Sequence, residues 1–202
     1  MNKIKLLLPV VAGLLLTAQA FAQHGQVSAR INAGVNFLDT SVSSGHNATI
    51  TKNNIDTGFL VGGAIDYKIM PQVRVGISYD YLANDLDIKL PLNQSVSLDY
   101  SQSVFLANAY YDFSHLIKDI TPYIGVGLGY NHLTPSTQVA GNTVTDASGG
   151  FAWRVAVGAN YNLTHEFEIG LGYSYTGASI SENNGTVNVT NNSILASLGY
   201  NF

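Results

Sequence analysis

His132 and Ser136 lie close together in the chain, and an imidazole beside a hydroxyl is the start of a nucleophilic site. Such a site also needs a carboxylate to orient the base. Pro135 interrupts the pair, and Ser136 and Thr137 read equally well as ordinary loop residues. No catalytic residue is therefore assigned. His24, His46, His115, His132 and His165 are scattered without ligand spacing, so neither a metal nor a cofactor is expected. Gly125, Gly127 and Gly129 form a GxGxG, but a phosphate cradle of that kind opens a helix, and no helical pattern follows. Asn47-Ala48-Thr49, Asn184-Gly185-Thr186 and Asn188-Val189-Thr190 fit the glycosylation sequon and read as polar loop.

The remaining chemistry lies in charge. Arg30, Asp66, Lys68, Arg74, Asp80, Asp112, Arg154 and Glu168 stand within stretches of alternating polarity, each on the side opposite the apolar stripe. A cation facing lipid at mid-bilayer costs about 2–4 kcal/mol. The charged side is thus expected to face a lumen and the apolar side to face lipid. Signs are balanced among these eight residues, and Arg74 is expected between Asp66 and Asp112. In an interior just wide enough for side chains, such pairs form a plug. Breaking one pair leaves an uncompensated charge at a cost of about 3–5 kcal/mol. They read as a structural charge network in the lumen.

Eight stretches position these residues. The last, Ser193–Phe202, places Ile194, Ala196, Leu198, Tyr200 and Phe202 on one face and Leu195, Ser197, Gly199 and Asn201 on the other. That period of two is the mark of a strand. The others begin near Val27, Thr57, Val73, Ser103, Thr121, Phe151 and Glu166. The register of the fourth is the least clear, because Val104, Leu106 and Tyr110 blur its alternation. Connections alternate between long and short. The long loops are 39–56, 83–102, 132–150 and 177–192, the second with its own hairpin-like alternation about Pro91. Met70-Pro71-Gln72, Ser114–Ile120 and Thr164-His165 are short. Tyrosines and Trp153 fall mostly on the apolar stripe near strand ends, as an interfacial girdle would. Glycine on alternate positions of the fifth strand leaves room for bulky neighbours across the lumen.

Residues 1–22 carry Lys3 and Lys5, an apolar run from Leu6 to Leu16 and Ala20-Phe21-Ala22. This is the pattern of a cleaved secretory signal peptide, and the run is too short to span a bilayer as a helix. Its removal leaves 7 basic residues against 13 acidic, a net charge near −6. With no basic cluster, nucleic acid is not an expected partner. With no cysteine, an exported domain must rest on its hydrogen-bonded framework. No later run could form a membrane helix, so only a closed barrel could cross a membrane. Residues 23–202 are thus expected to form one all-β domain, an eight-stranded antiparallel up-and-down transmembrane β-barrel with both termini on the periplasmic side.

NAYYDF (Asn108–Phe113), TPYIGVGLGY (Thr121–Tyr130), FAWRVAVGANY (Phe151–Tyr161) and the closing LGYNF resemble the eight-stranded outer-membrane β-barrels grouped with OmpA/OmpX-type porins, opacity proteins and bacterial surface antigens. The resemblance implies the bacterial outer membrane, with its lipid and lipopolysaccharide as surroundings. It also implies a terminal signal, Tyr200 and Phe202, read by the barrel-assembly machinery. The chain ends with its eighth strand, so the cell-wall anchoring of the full OmpA type is not implied. Three functions are open. The first is a non-enzymatic surface protein whose four loops meet a host or surface ligand, or support envelope integrity. A narrow porin-like channel is the alternative, and the glycines of the fifth strand are its best support. A lipid-modifying enzyme comes last, since His132 and Ser136 do not match the His-x-Ser spacing of barrel deacylases.

Overall fold

A computed structural model describes residues 27–44, 48–90, 94–113, 119–139, 142–145, 148–182 and 185–202. The leader expected at 1–22 and the turn residues 114–118 lie outside the described residues. Nine strands occur: β1 (Val27–Ser44), β2 (Ala48–Met70), β3 (Val73–Leu90), β4 (Gln94–Asp112), β5 (Ile120–Val139), β6 (Asn142–Thr145), β7 (Ser148–Asn162), β8 (Phe167–Glu182) and β9 (Gly185–Asn201). All but β6 build a closed antiparallel cylinder of eight strands, in which β1 pairs with β9 and β4 with β5. The short β6 folds back on the far part of β5. Among the described residues there is no helix.

The registers fix the shape of the cylinder. Ser28 pairs with Asp66, Asp66 with Gly76, Gly76 with Asn108, and Asn108 with Gly127. The path continues through Arg154, Thr176 and Asn191 and returns to β1 at Leu38 rather than Ser28. A closed sheet that returns so far along its first strand has its strands tilted by about 40° to the axis. The Phe202 amide donates to the Val27 carbonyl at 2.9 Å, so first and last strands are joined to their ends.

The two faces are the reverse of a soluble protein's. Ile31, Val35, Ile77, Val126, Leu128, Val155, Val157, Leu171, Ile194 and Leu198 are exposed on the outside. Arg30, Asp66, Arg74, Asp80, Asp112 and Arg154 are buried inside. Aromatic residues bound the apolar band. Tyr67, Tyr111, Tyr161, Phe167 and Tyr200 lie toward the end with the short turns, where Phe167 stacks on Tyr200 at 5.1 Å. Phe59, Phe105, Tyr130, Phe151 and Trp153 lie toward the hairpin end, where Trp153 meets Tyr175 at 5.4 Å. This is the apolar band with aromatic girdles that a barrel presents to a bilayer.

The eight strands of the cylinder, 15 to 23 residues long, far exceed the roughly 9–11 needed to cross a membrane. Much of the connections 39–56 and 177–192, expected as loop, is in fact paired strand, and the hairpin expected within 83–102 is present. β1 and β2 run on to Ser44↔Ala48, β3 and β4 to Leu90↔Gln94, and β8 and β9 to Glu182↔Gly185. Backbone pairing needs no strong hydrophobic contrast between faces, so the Ser-, Thr- and Asn-rich ends of β1, β2, β8 and β9 extend the ladder with little of the alternation that marks it.

The extensions form two separate walls. β2–β1–β9–β8 continue as one sheet, and β3–β4–β5–β6 as another. Between them the β2–β3 ladder ends at Gly58↔Asn84 and the β7–β8 ladder at Phe151↔Ser179.

The blurred β4 register resolves with Leu106, Asn108 and Asp112 buried and Phe105, Ala107, Ala109 and Tyr111 exposed. The Tyr110 ring lies where a Cβ on Gly125 would stand, and the Tyr123 hydroxyl lies 2.6 Å from where one on Gly158 would stand. Gly125→Val should therefore expel the Tyr110 ring and lower stability by about 1–3 kcal/mol. A reduced urea midpoint for the barrel refolded in lipid vesicles is the measurement.

Candidate functional site

The lumen is filled in layers. At the turn end, inward positions of β1, β2, β3 and β4 bring Arg30, Asp66, Arg74 and Asp112 together. Asp66 accepts from Arg30 Nη2 and, at 3.4 Å, from Arg74 Nη1. Arg74 grips Asp112 with two parallel bonds, Nε to Oδ2 at 2.7 Å and Nη2 to Oδ1 at 2.9 Å. That fork geometry is the strongest form of the contact. Two tyrosines complete the layer. The Arg74 guanidinium lies 4.7 Å from the Tyr110 ring centre and 5.6 Å from that of Tyr123. Arg30 lies 5.4 Å from Tyr110. Ring faces attract a desolvated cation.

Further along, Arg154 Nη1 pairs with Asp80 Oδ2 at 2.6 Å, and Arg154 Nε donates to Thr176 Oγ1 at 3.0 Å. Beyond this pair the lumen turns apolar. Leu60, Leu82, Val104, Leu106, Ala152 and Ala178 form a buried cluster inside the cylinder, with Leu195 against it. Amides are buried beside them. Asn36 Nδ2 donates to Asn84 Oδ1 at 3.0 Å and to Asn191 Oδ1 at 3.1 Å. Asn191 Nδ2 donates to Gln102 Oε1 at 2.8 Å, and Ser193 Oγ to Asn36 Oδ1 at 2.9 Å. Between the Arg30 layer and the Arg154–Asp80 pair lies a cavity of about 40 Å³, lined by residues including Arg30, Asn32, Ser78, Arg154, Ser174 and Ser197. It has room for about three waters.

Six of the eight charges singled out in the sequence are thus buried and ion-paired: Arg30, Asp66, Arg74, Asp80, Asp112 and Arg154. Lys68 and Glu168 depart from that group. Lys68 is exposed at the last inward position before the Pro71-Gln72 turn and makes no ion pair among the described residues. A flexible ammonium at the rim gains more from water than from a buried partner. Glu168 is half-buried, its side chain flanking Gly199 together with that of Arg30.

The amide cluster escaped sequence reasoning. Asn84, Gln102 and Asn191 fell in stretches read as loop, although each keeps the inward parity of its strand. His132 is exposed on the outer face of β5 and makes no hydrogen bond or ion pair among the described residues. Tyr200 stacks on Phe167 and, at 4.9 Å, on Phe202.

A sealed antiparallel cylinder, greasy outside and ionic within, defines a transmembrane β-barrel. The family described as "Outer membrane protein beta-barrel domain" matches residues 8–202, and the chain belongs to it. It is an outer-membrane protein. It is 31% identical over 102 residues to the outer membrane protein PagN of Salmonella typhimurium, a match that covers 46% of this chain and 42% of that protein. The match thus spans less than half of the relative's length. Neisserial surface protein A shares the fold at a TM-score of 0.55 and 21% identity, over 86% of this chain and 97% of that one. The attachment invasion locus protein Ail of Yersinia pestis aligns at a TM-score of 0.47 and 16% identity, over 89% of this chain and 100% of its own.

Arg74→Ala should leave the buried Asp112 without its cation and Asp66 with Arg30 alone, and cost about 3–5 kcal/mol. Lys68→Ala, at the wet rim, should stay within about 0.5 kcal/mol. Equilibrium urea unfolding in lipid vesicles, followed by tryptophan fluorescence, measures both.

Proposed function

We propose that the protein is a non-enzymatic surface barrel whose membrane-embedded part is an anchor and whose four hairpins meet other molecules outside the cell. The role is adhesion, contact with a surface ligand, or support of the envelope. The observation that carries this reading is the filled lumen. An ionic and aromatic layer and an apolar layer fill the lumen in series, and among the described residues a cavity of about 40 Å³ lies against Arg30 and Arg154. A tube packed in this way supports rigidity over passage. The hairpins, by contrast, run well past the aromatic girdle, and recognition is expected on extensions held by a rigid scaffold.

Catalysis finds little support. Pro135 stands between His132 and Ser136, whose spacing does not match a base and its nucleophile. The leader at 1–22 directs export in this reading, Tyr200 and Phe202 present the terminal signal to the assembly machinery, and lipopolysaccharide surrounds the hairpin-side girdle.

The test combines two measurements. Bacteria displaying the full barrel should adhere to one another or to a cultured cell layer more than bacteria displaying a version whose hairpins are cut back to Gly58, Asn84, Leu133 and Ser179. The intact barrel in planar bilayers should show no discrete conductance steps. Steady open steps in the intact barrel, with adhesion unchanged by the trimming, would replace this reading with the channel.

A further inference from the structure

The cavity in the lumen lies at a level where inward side chains are small. Ala64 of β2, Ser78 of β3, Ala156 of β7, Gly172 and Ser174 of β8 and Ser197 of β9 all line it. The void is thus written into the sequence of several strands rather than left by one poor contact. Two long side chains also line it, Arg30 from the turn-side layer and Arg154 from the hairpin side. Among the described residues no carboxylate does so. Asp66 and Asp80 pair with these two arginines without lining the space.

The groups around the cavity are mostly donors. Arg30 Nε and Ser174 Oγ have no hydrogen-bond partner among the described residues. Both residues are more than nine-tenths buried, Arg30 at 7% exposure and Ser174 at 1%. A guanidinium carries five N–H donors and no acceptor. The contacts of Arg154 with Asp80 and Thr176 engage only Nη1 and Nε. Ser78 Oγ already accepts from Asn108 Nδ2 at 2.9 Å, which leaves its proton to point elsewhere. Asn32 and Ser197 add further N–H and O–H groups to the lining. A buried donor without an acceptor is costly, and here several surround one small space.

We propose that this cavity binds a monatomic anion of halide size, such as chloride, between Arg30 and Arg154 and against the Ser174 hydroxyl. An anion supplies only acceptor capacity, which is what the lining lacks. Each water would bring two donors of its own. The ion also offsets the repulsion between two guanidiniums that line the same void. A phosphate, with its four oxygens around phosphorus, exceeds a space of about three waters. The Arg74–Asp112 layer lies on the turn side of the site, and the Arg154–Asp80 pair and the apolar cluster lie on the other. The ion therefore enters as the barrel folds and becomes part of the anchor. This goes beyond the surface role, which concerns the hairpins.

The experiment refolds the full barrel from urea into lipid vesicles, in sodium chloride or in sodium gluconate of the same ionic strength. Gluconate is too large for the cavity. The urea midpoint, read from the emission wavelength of Trp153, should rise along a saturating curve as chloride replaces gluconate. Ser174→Ala should raise the half-saturating chloride concentration about tenfold, as loss of a hydrogen bond to a charge does. Ala156→Leu, whose side chain fills the cavity, should abolish the response with the barrel still heat-modifiable on gels. Lys68→Ala, at the rim, should keep it. In crystals of the full barrel grown in bromide, anomalous scattering should place the ion between Arg30 and Arg154. Equal midpoints in the two salts overturn the proposal and assign the cavity to water. So does a chloride response that Ser174→Ala and Ala156→Leu both retain. A bromide peak in the cavity without any midpoint response marks an adventitious ion only, and it overturns the proposal as well.

Discussion

In the core of a bilayer no water is available to satisfy a backbone amide. Each unpaired group there costs several kcal/mol, so a sheet can enter only if it has no edge. The pairing of β1 with β9 meets that condition, from Ser28↔Asn201 through the whole membrane band. Once the ring is closed, the period of two in every strand sends alternate side chains into lipid and into the lumen. The apolar exterior and polar interior follow from that geometry rather than from any local propensity.

The interior charges do more than fill space. Replacing a buried ion pair by apolar residues is often neutral or stabilising in a soluble core. Here the alternative matters more than the ground state. A strand that slipped by one residue would turn its inward side chains outward. Arg30, Arg74 and Arg154 would then face lipid, at about 2–4 kcal/mol each near the midplane. The Arg74–Asp112 fork and the Arg154–Asp80 pair thus specify register by making the wrong one costly. Tyr110 and Tyr123 belong to the same design. Their rings occupy space freed by Gly125, Gly158 and Gly172 and lie close to the arginines.

The cylinder was legible from the chain because lipid enforces a contrast. Ile31, Ala33 and Val35 on one side and Arg30, Asn32 and Asn36 on the other leave one consistent assignment. Legibility ended where the membrane does. Thr40–Ser44 and Ala48–Lys52 pair as regularly as the strands below them, yet only Val42, Ala48 and Ile50 are apolar among them, so pairing left a faint periodic trace. Inside the lumen the signal failed for the opposite reason. Val104 and Leu106 are apolar at inward positions and blur the alternation of their strand until the registers place them. The amide cluster was hidden because Asn84, Gln102 and Asn191 stand in stretches whose polar composition reads as loop.

The lumen and the hairpins answer to different constraints, and the ladder ends record the boundary. Below Gly58↔Asn84 and Phe151↔Ser179, an open edge would face hydrocarbon, and every strand is paired on both sides. Above those pairs water can satisfy an amide, so closure is no longer required and the cylinder divides into two walls. Each wall keeps its internal ladders because they continue from strands already aligned by the barrel, at little further cost in ordering entropy. An anchor filled to rigidity can therefore hold long hairpins in extended form without a hydrophobic core of their own. The edges those hairpins leave open are tolerable in water.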